Sequence, residues 1–216
     1  MKSILSLGIL FFALTFCGIG DRLKGITGGD GDTTETTKTE SGDADTKEGD
    51  SAEEVVTAKL TSDMESKLDG ETATWEEQGM TWKLPKGWPK MDVSKNSFQY
   101  GSPAKGFLIG TISSLGSSFP VDTSIKAYYD QAVQKAKDGE YEKVQYTMID
   151  GVKGVEFVES KKEDAGDPRR FQWIGYRTYN DQTQMVNVMV STKSSNFDDN
   201  KEIYNAIMYS MTMAKQ

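Results

Sequence analysis

All four tryptophans (Trp75, Trp82, Trp88 and Trp173) and all nine tyrosines of this 216-residue chain lie beyond residue 70. Large aromatic side chains dominate the energetics of a buried core, so the folded part is expected over residues 71–216. About 146 residues can bury roughly two-thirds of their unfolded surface, which suffices for one independent domain. The preceding stretch has the opposite character. Residues 28–54 carry ten acidic side chains (Asp30, Asp32, Glu35, Glu40, Asp43, Asp45, Glu48, Asp50, Glu53 and Glu54) against Lys38 and Lys47. That imbalance of −8 equals the net charge of the whole chain and leaves 23 acidic and 23 basic residues elsewhere. The acidity therefore belongs to a tail. A neutral domain lacks the basic face that nucleic acid requires, so no nucleic-acid partner is expected. It also lacks a strong electrostatic grip on anionic lipid.

With almost nothing apolar, residues 28–54 cannot offset the entropy of ordering a backbone, and residues 18–70 are read as an acidic disordered linker. A flexible chain of about 50 residues reaches roughly 40 Å. Val56, Leu60, Met64 and Leu68 recur every four residues and suggest weak helix within 51–68.

The chain opens with Lys2 and a 13-residue apolar run, Ile4 to Phe16. Such a run suits the core of an export signal and falls short of the roughly 20 residues that span a bilayer. It ends in Leu14-Thr15-Phe16-Cys17-Gly18. This end resembles the lipobox of bacterial lipoproteins, in which an aliphatic residue stands three positions before a cysteine. Leu14, Thr15 and Cys17 fit; Phe16 departs, since a small residue usually precedes the cysteine. The resemblance implies cleavage after residue 16, a lipid on Cys17, and a domain tethered to a membrane at the periplasmic or cell-surface face. Two other readings share these residues: an ordinary signal peptide cut after Gly18-Ile19-Gly20, and an uncleaved anchor from Ile4 to Gly20.

Beyond residue 70 the pattern is strand-rich. Strands are expected near 72–76, 79–84, 97–100, 107–113, 141–149, 152–160, 170–179 and 184–192. Asp150-Gly151 between two alternating runs marks a tight hairpin, and a second hairpin is expected across Asn180-Asp181-Gln182. Ile125, Tyr129, Ala132, Val133 and Ala136 share one face of a helix over 123–138 that Gly139 ends. Ile203, Ile207 and Met211 mark a second helix over 199–213, with Asp199 and Glu202 as a capping box. Phe171 and Trp173 point one way and Ile174 and Tyr176 the other; Val186, Val188 and Val190 oppose Met185 and Met189. A sheet apolar on both faces needs cover on both. The expectation is an α+β fold in which an antiparallel β-sheet is flanked by helices, an α/β/α sandwich.

The run Gly79-Met80-Thr81-Trp82-Lys83-Leu84-Pro85-Lys86-Gly87-Trp88 resembles the start of PsbP-like domains, where a Gly–aromatic strand leads into Pro-x-x-Trp. The order of elements over 71–216 is similar too. The resemblance implies an antiparallel sheet between helices and a binding or accessory role without catalysis. No residues place the chain in a photosystem, and a fold does not fix a function.

No catalytic constellation is visible. The chain has no histidine and one cysteine, which excludes Ser-His-Asp and Cys-His arrangements, an internal disulfide and a Cys-rich zinc site. No phosphate-binding glycine loop or nucleophile elbow occurs. The acidic groups Glu76/Glu77, Glu163/Asp164/Asp167 and Asp198/Asp199 are sequence neighbours and read as solvated loops and caps, so no metal or cofactor is expected. Lys161-Lys162 and Arg169-Arg170 flank the middle group as a zwitterionic loop, either for solubility or for contact with an envelope protein. Trp82 alternates with Met80 and Leu84 as core, whereas an exposed Trp75 or Trp88 would form a binding surface. The functional expectation is a membrane-anchored, non-catalytic accessory or binding module of the cell envelope. The alternatives are a secreted enzyme with an acidic site, and a structural envelope component.

Overall fold

The computed structural model describes residues 54–214; the apolar run from Ile4, Cys17 and the acidic stretch up to residue 53 lie outside them. The described chain begins with strand β1 (Val55–Thr57) and a one-turn helix α1 (Ser62–Glu65), capped by the Thr61 hydroxyl, which accepts from the Met64 N–H at 3.3 Å. Strands β2 (Thr72–Trp75) and β3 (Met80–Lys83) follow, joined by a 3-10 turn that Gly79 closes at φ 55°. Next come β4 (Lys90–Val93), β5 (Ser97–Ser102), β6 (Gly106–Leu115) and helix α2 (Val121–Lys137). Then β7 (Tyr141–Ile149), β8 (Val152–Glu159), β9 (Pro168–Tyr179) and β10 (Gln182–Lys193) run in succession. Helix α3 (Ser194–Tyr209) and β11 (Thr212–Met213) complete the fold.

Turn chemistry sets the register of the long strands. Asp150 and Gly151 adopt φ of 46° and 76°, the pair of left-handed residues that a two-residue hairpin needs, so Ile149 faces Val152. Asn180 and Asp181, at φ of 51° and 58°, do the same between β9 and β10. That turn also has two residues: Gln182 is already in the strand, opposite Tyr179. The main sheet has eight strands in the order β1-β7-β8-β9-β10-β6-β5-β4, and β2, β3 and β11 form a separate three-stranded sheet. Every pairing is antiparallel except that of β1 with β7.

Side-chain parity along the strands then divides the core in two. Phe171, Trp173, Val186, Val188 and Val190 pack with Phe197, Tyr204, Ala206, Ile207 and Met208 of α3 and with the small sheet. Ile174, Tyr176, Val155 and Phe157 pack with Ile125 and Ala132 of α2. One helix therefore covers each face, and the fold is the expected α+β arrangement of an antiparallel sheet between helices. Gly154 and Gly175 face each other in register under Trp173; a Cβ on either would lie 2.3 Å from that ring.

Several expectations need correction. Of the expected linker, residues 55–70 belong to the fold: Val55–Thr57 form β1, the short α1 falls within the helix expected over 51–68, Leu60 and Met64 pack against the core and Leu68 is buried. The strands expected at 72–76 and 79–84 do not join the main sheet, because β11 pairs with β3 and closes a sheet of their own. Helix α3 starts at Ser194, so Asp199 and Glu202 lie inside it and cap nothing; its N-cap position is Lys193. Strand β4 was not foreseen.

Candidate functional site

Gly70 makes a close approach possible. Its N–H donates to the Leu84 carbonyl at 2.9 Å, and a Cβ there would lie 2.7 Å from that oxygen. This clamps the entry to β2 onto the exit of β3. Beyond β3 the chain turns through Pro85, Gly87 (φ 77°) and Pro89 into β4. The Asp69 carboxylate accepts from the Lys86 N–H at 3.1 Å and pairs with the Lys86 ammonium at 3.1 Å, contacts that hold its carboxyl below the ordinary range. The Lys105 ammonium donates to the Lys86 carbonyl at 2.9 Å. Between this loop and β2 lies a groove of about 510 Å³, lined by residues 70–74, 84–90 and Tyr100.

Its apolar wall is aromatic. Trp88 leans on Tyr204 with ring centroids 6.4 Å apart, and Tyr100 meets Trp82 edge to face at 5.4 Å. Burial, and then the Glu71 carboxylate, raise the Tyr100 phenol above its usual pKa, so its hydroxyl stays protonated. Behind the lining sits Trp82, cross-strand from Ala73 and two residues before Leu84. Among the described residues, its indole N–H is the buried side-chain donor with no hydrogen-bond partner. An unsatisfied buried donor costs about 1–3 kcal/mol.

The opposite wall is a strand edge. The Leu84 N–H donates to the Glu71 carbonyl at 3.0 Å, which makes Glu71 a hydrogen-bonded position of the β2–β3 pair. Alternation along an antiparallel pair then turns the backbone N–H and C=O of Thr72 and Thr74 away from β3. Strand β2 is the last of its sheet, so among the described residues these groups meet no further strand. The Thr72 and Thr74 side chains are exposed, while Ala73 and Trp75 point into the core.

A second cleft, of about 260 Å³, opens between the end of α2, the start of β7 and the end of β8. Two ion pairs line it: Lys135 with Glu140 at 3.1 Å and Lys162 with Glu159 at 3.3 Å. The hydrogen bond to Glu140 raises the Lys135 ammonium, and burial raises the Tyr141 phenol.

Trp75 and Trp88, which would form a binding surface if exposed, are both buried. Trp75 is 1% exposed, its indole N–H held by the Ser94 carbonyl at 2.8 Å, and it takes no part in the groove. Trp88 is 7% exposed and does border the groove, by one edge. Cys17 lies outside the described residues. Glu76 and Glu77 sit exposed in the 3-10 turn, and Glu163, Asp164 and Asp167 stay in a surface loop. Asp198 is not a cap or loop residue. From α3 it pairs with Arg169 at 2.8 Å. Arg169, read as part of a zwitterionic loop, is 1% exposed and also reaches Glu142 at 2.5 Å. Among the described residues, no three His, Cys, Asp or Glu side chains are placed to hold a metal ion. No helix there is long and apolar enough to cross a membrane.

Sequence reasoning missed Tyr100 and the Thr72–Thr74 edge, whose meeting depends on the pairing of distant strands. It also missed the fully buried carboxylate of Glu156, which accepts from Lys143 at 2.6 Å, Gln145 at 3.3 Å and Tyr209 at 3.1 Å. A glutamate flanked on both sides by the apolar Val155 and Phe157 within the strand was the available signal.

No protein-family model and no curated protein matches the chain. Solved structures resemble it at low identity. The cyanobacterial PsbP (CyanoP) of Synechocystis sp. PCC 6803 is 15% identical, with 67% of this chain and 92% of that chain covered and a TM-score of 0.43. LpqN, involved in cell envelope biogenesis of Mycobacterium tuberculosis, is 9% identical, with 62% and 83% covered and a TM-score of 0.48. The Saccharomyces cerevisiae Ran-binding protein Mog1p is 11% identical, with 68% and 97% covered and a TM-score of 0.38. None of these likenesses assigns an activity to this chain.

Proposed function

We propose that the protein is a cell-envelope lipoprotein, tethered through Cys17, whose domain acts as a non-catalytic binding module. The observation that carries the binding role is the groove beside β2: an aromatic wall of Trp88 and Tyr100 faces a strand edge across about 510 Å³. Concave sites with an apolar wall and a few polar groups are where ligands bind. Two carboxylates of the second cleft, Glu140 and Glu159, are engaged by lysines, which disfavours them as the acidic site of a secreted enzyme. The tether rests on the sequence Leu14-Thr15-Phe16-Cys17 and on the acidic spacer that follows it.

Fractionation and co-purification test both halves. The wild-type chain sediments with membranes and, after mild cross-linking, retains a discrete partner. Cys17→Ser leaves the membrane fraction, because a lipid anchor depends on that thiol. Thr72→Arg, which places a long side chain in the groove from an exposed position, keeps the fold and loses the partner. A wild-type chain found wholly in the soluble fraction contradicts the tether, and an undiminished partner on Thr72→Arg contradicts the groove.

A further inference from the structure

The groove has the components of a strand-receiving site, and three independent observations bear on what enters it. First, its long wall is the free edge of β2, where Thr72 and Thr74 turn their backbone N–H and C=O outward. Free edges are normally guarded by charge, proline or cover, because they template pairing with another chain. Here the two residues facing outward are threonines, and no proline or charged side chain stands between Thr72 and Trp75. Second, Trp88 and Tyr100 provide an apolar wall facing that edge. Third, the charge around the mouth is basic. Lys86 is neutralised by Asp69, but among the described residues Lys90 lines the groove with no acidic partner, and the Lys105 ammonium donates to a backbone carbonyl. Glu71 is the remaining acidic lining residue.

We infer that the groove receives an extended peptide segment of a partner protein, which adds a strand to β2 through Thr72 and Thr74, sets an aromatic or branched aliphatic side chain against Trp88 and Tyr100, and presents acidic side chains to Lys90 and Lys105. This deepens the binding reading above and rests on it. Main-chain pairing provides the affinity in such additions, and alternate side chains provide the specificity. Successive side chains of a strand point to opposite faces, so the segment offers its apolar residues at every second position.

The probe is a phage-displayed library of random dodecapeptides, panned on the full-length chain in detergent. Enriched clones are expected to carry Asp or Glu around a Tyr, Phe, Val or Ile. A synthetic peptide of the winning sequence should lose about tenfold or more in affinity for Thr74→Pro, which removes one outward N–H at an edge where proline is tolerated. Lys90→Glu should weaken it also. A version of the peptide N-methylated at alternate residues, on the edge that meets β2, should lose binding to the wild type, which keeps the test decisive if Thr74→Pro fails to fold. Failure of the library to enrich any clone, or peptides that bind Thr74→Pro and tolerate N-methylation on both edges, would overturn strand addition. A partner lost on Thr72→Arg but indifferent to Thr74→Pro would leave the groove as the binding site and remove the strand pairing alone.

Discussion

The Arg177 guanidinium donates to the Gln78 main-chain carbonyl at 2.6 Å, and this contact fastens the three-stranded sheet to the eight-stranded one. The same side chain donates to Gln184 at 3.1 Å and to the Ala214 carbonyl at 3.4 Å, while Gln184 reaches Gln78 at 3.1 Å. Arg177 is 5% exposed, and burial lowers its pKa below the ordinary guanidinium value. The groove depends on this junction, because β2 and β4 belong to different sheets.

Removing the guanidinium should loosen the small sheet. Arg177→Met leaves the Gln78 carbonyl and Gln184 without a buried donor, and each orphaned group costs about 1–3 kcal/mol. Urea denaturation should show that loss, and amide exchange in β3 should speed up more than in β9.

The buried Arg169 at the other end of the sheet behaves differently from the loop beside it. Arg169 ties Glu142, Asp198 and the Glu159 carbonyl together and lies over Phe197 at 4.3 Å. Arg169→Ala removes the donor from these groups and the packing over Phe197, but Glu142 keeps Lys201 at 2.9 Å and Asp198 is more than half exposed, so the loss should be about 1–3 kcal/mol. Lys161→Ala, at an exposed position of the same loop, should stay within about 0.5 kcal/mol of the wild type in the same denaturation experiment.

Alkaline pH should weaken the fold in a defined window. Burial, and next the Glu156 carboxylate, raise the Tyr209 phenol above its usual pKa, and burial raises Tyr176 to about 12. Unfolded phenols release their protons near pH ~10 while these folded ones keep them, so stability is intact below ~10 and falls as the pH rises toward ~12. Tyr209→Phe should flatten part of that decline. At neutral pH it should itself cost about 1–3 kcal/mol, because Glu156 loses a donor. Denaturation midpoints at pH 8, 10 and 11 read both effects.

The stable fragment should begin before residue 71. Strand β1 pairs with β7 through Val55, Val56 and Thr57, and Leu68 is 7% exposed. Burying one leucine contributes about 1.5–3 kcal/mol. A fragment of residues 71–216 should therefore melt well below one of residues 54–216 in calorimetry.

How far the fold was legible follows from range. The parity of Phe171–Tyr176 and Val186–Val190 read both faces of the sheet correctly, because side-chain direction along a strand is local. The Asp150-Gly151 turn was legible for the same reason, since positive φ at two positions is a demand on two residues. Membership of sheets was not legible: nothing in Thr72–Lys83 says that β11, about 130 residues later, will pair with it. The start of α3 was missed because Ser194 and Asn196 are polar, yet Ser194 is buried, its hydroxyl accepting from the Lys162 N–H at 3.1 Å. Of the candidate site, Trp88 was singled out and the rest was not, since residues 70–74, 84–90 and 100 meet only once both sheets are assembled. Trp82, expected as core from its alternation with Met80 and Leu84, is core, and Trp75 and Trp88, which would offer a ligand platform if exposed, are buried too.

The most direct measurement of the central claim places a photo-activated cross-linking residue at Thr72 in the full-length chain, in intact cells, and compares it with one at Lys137 on the exposed surface of α2. The account predicts a discrete protein adduct from Thr72, suppressed when Lys90 is changed to Glu, and none from Lys137. Adducts from Lys137 with none from Thr72, or silence at both positions, would contradict a binding module built on the groove beside β2.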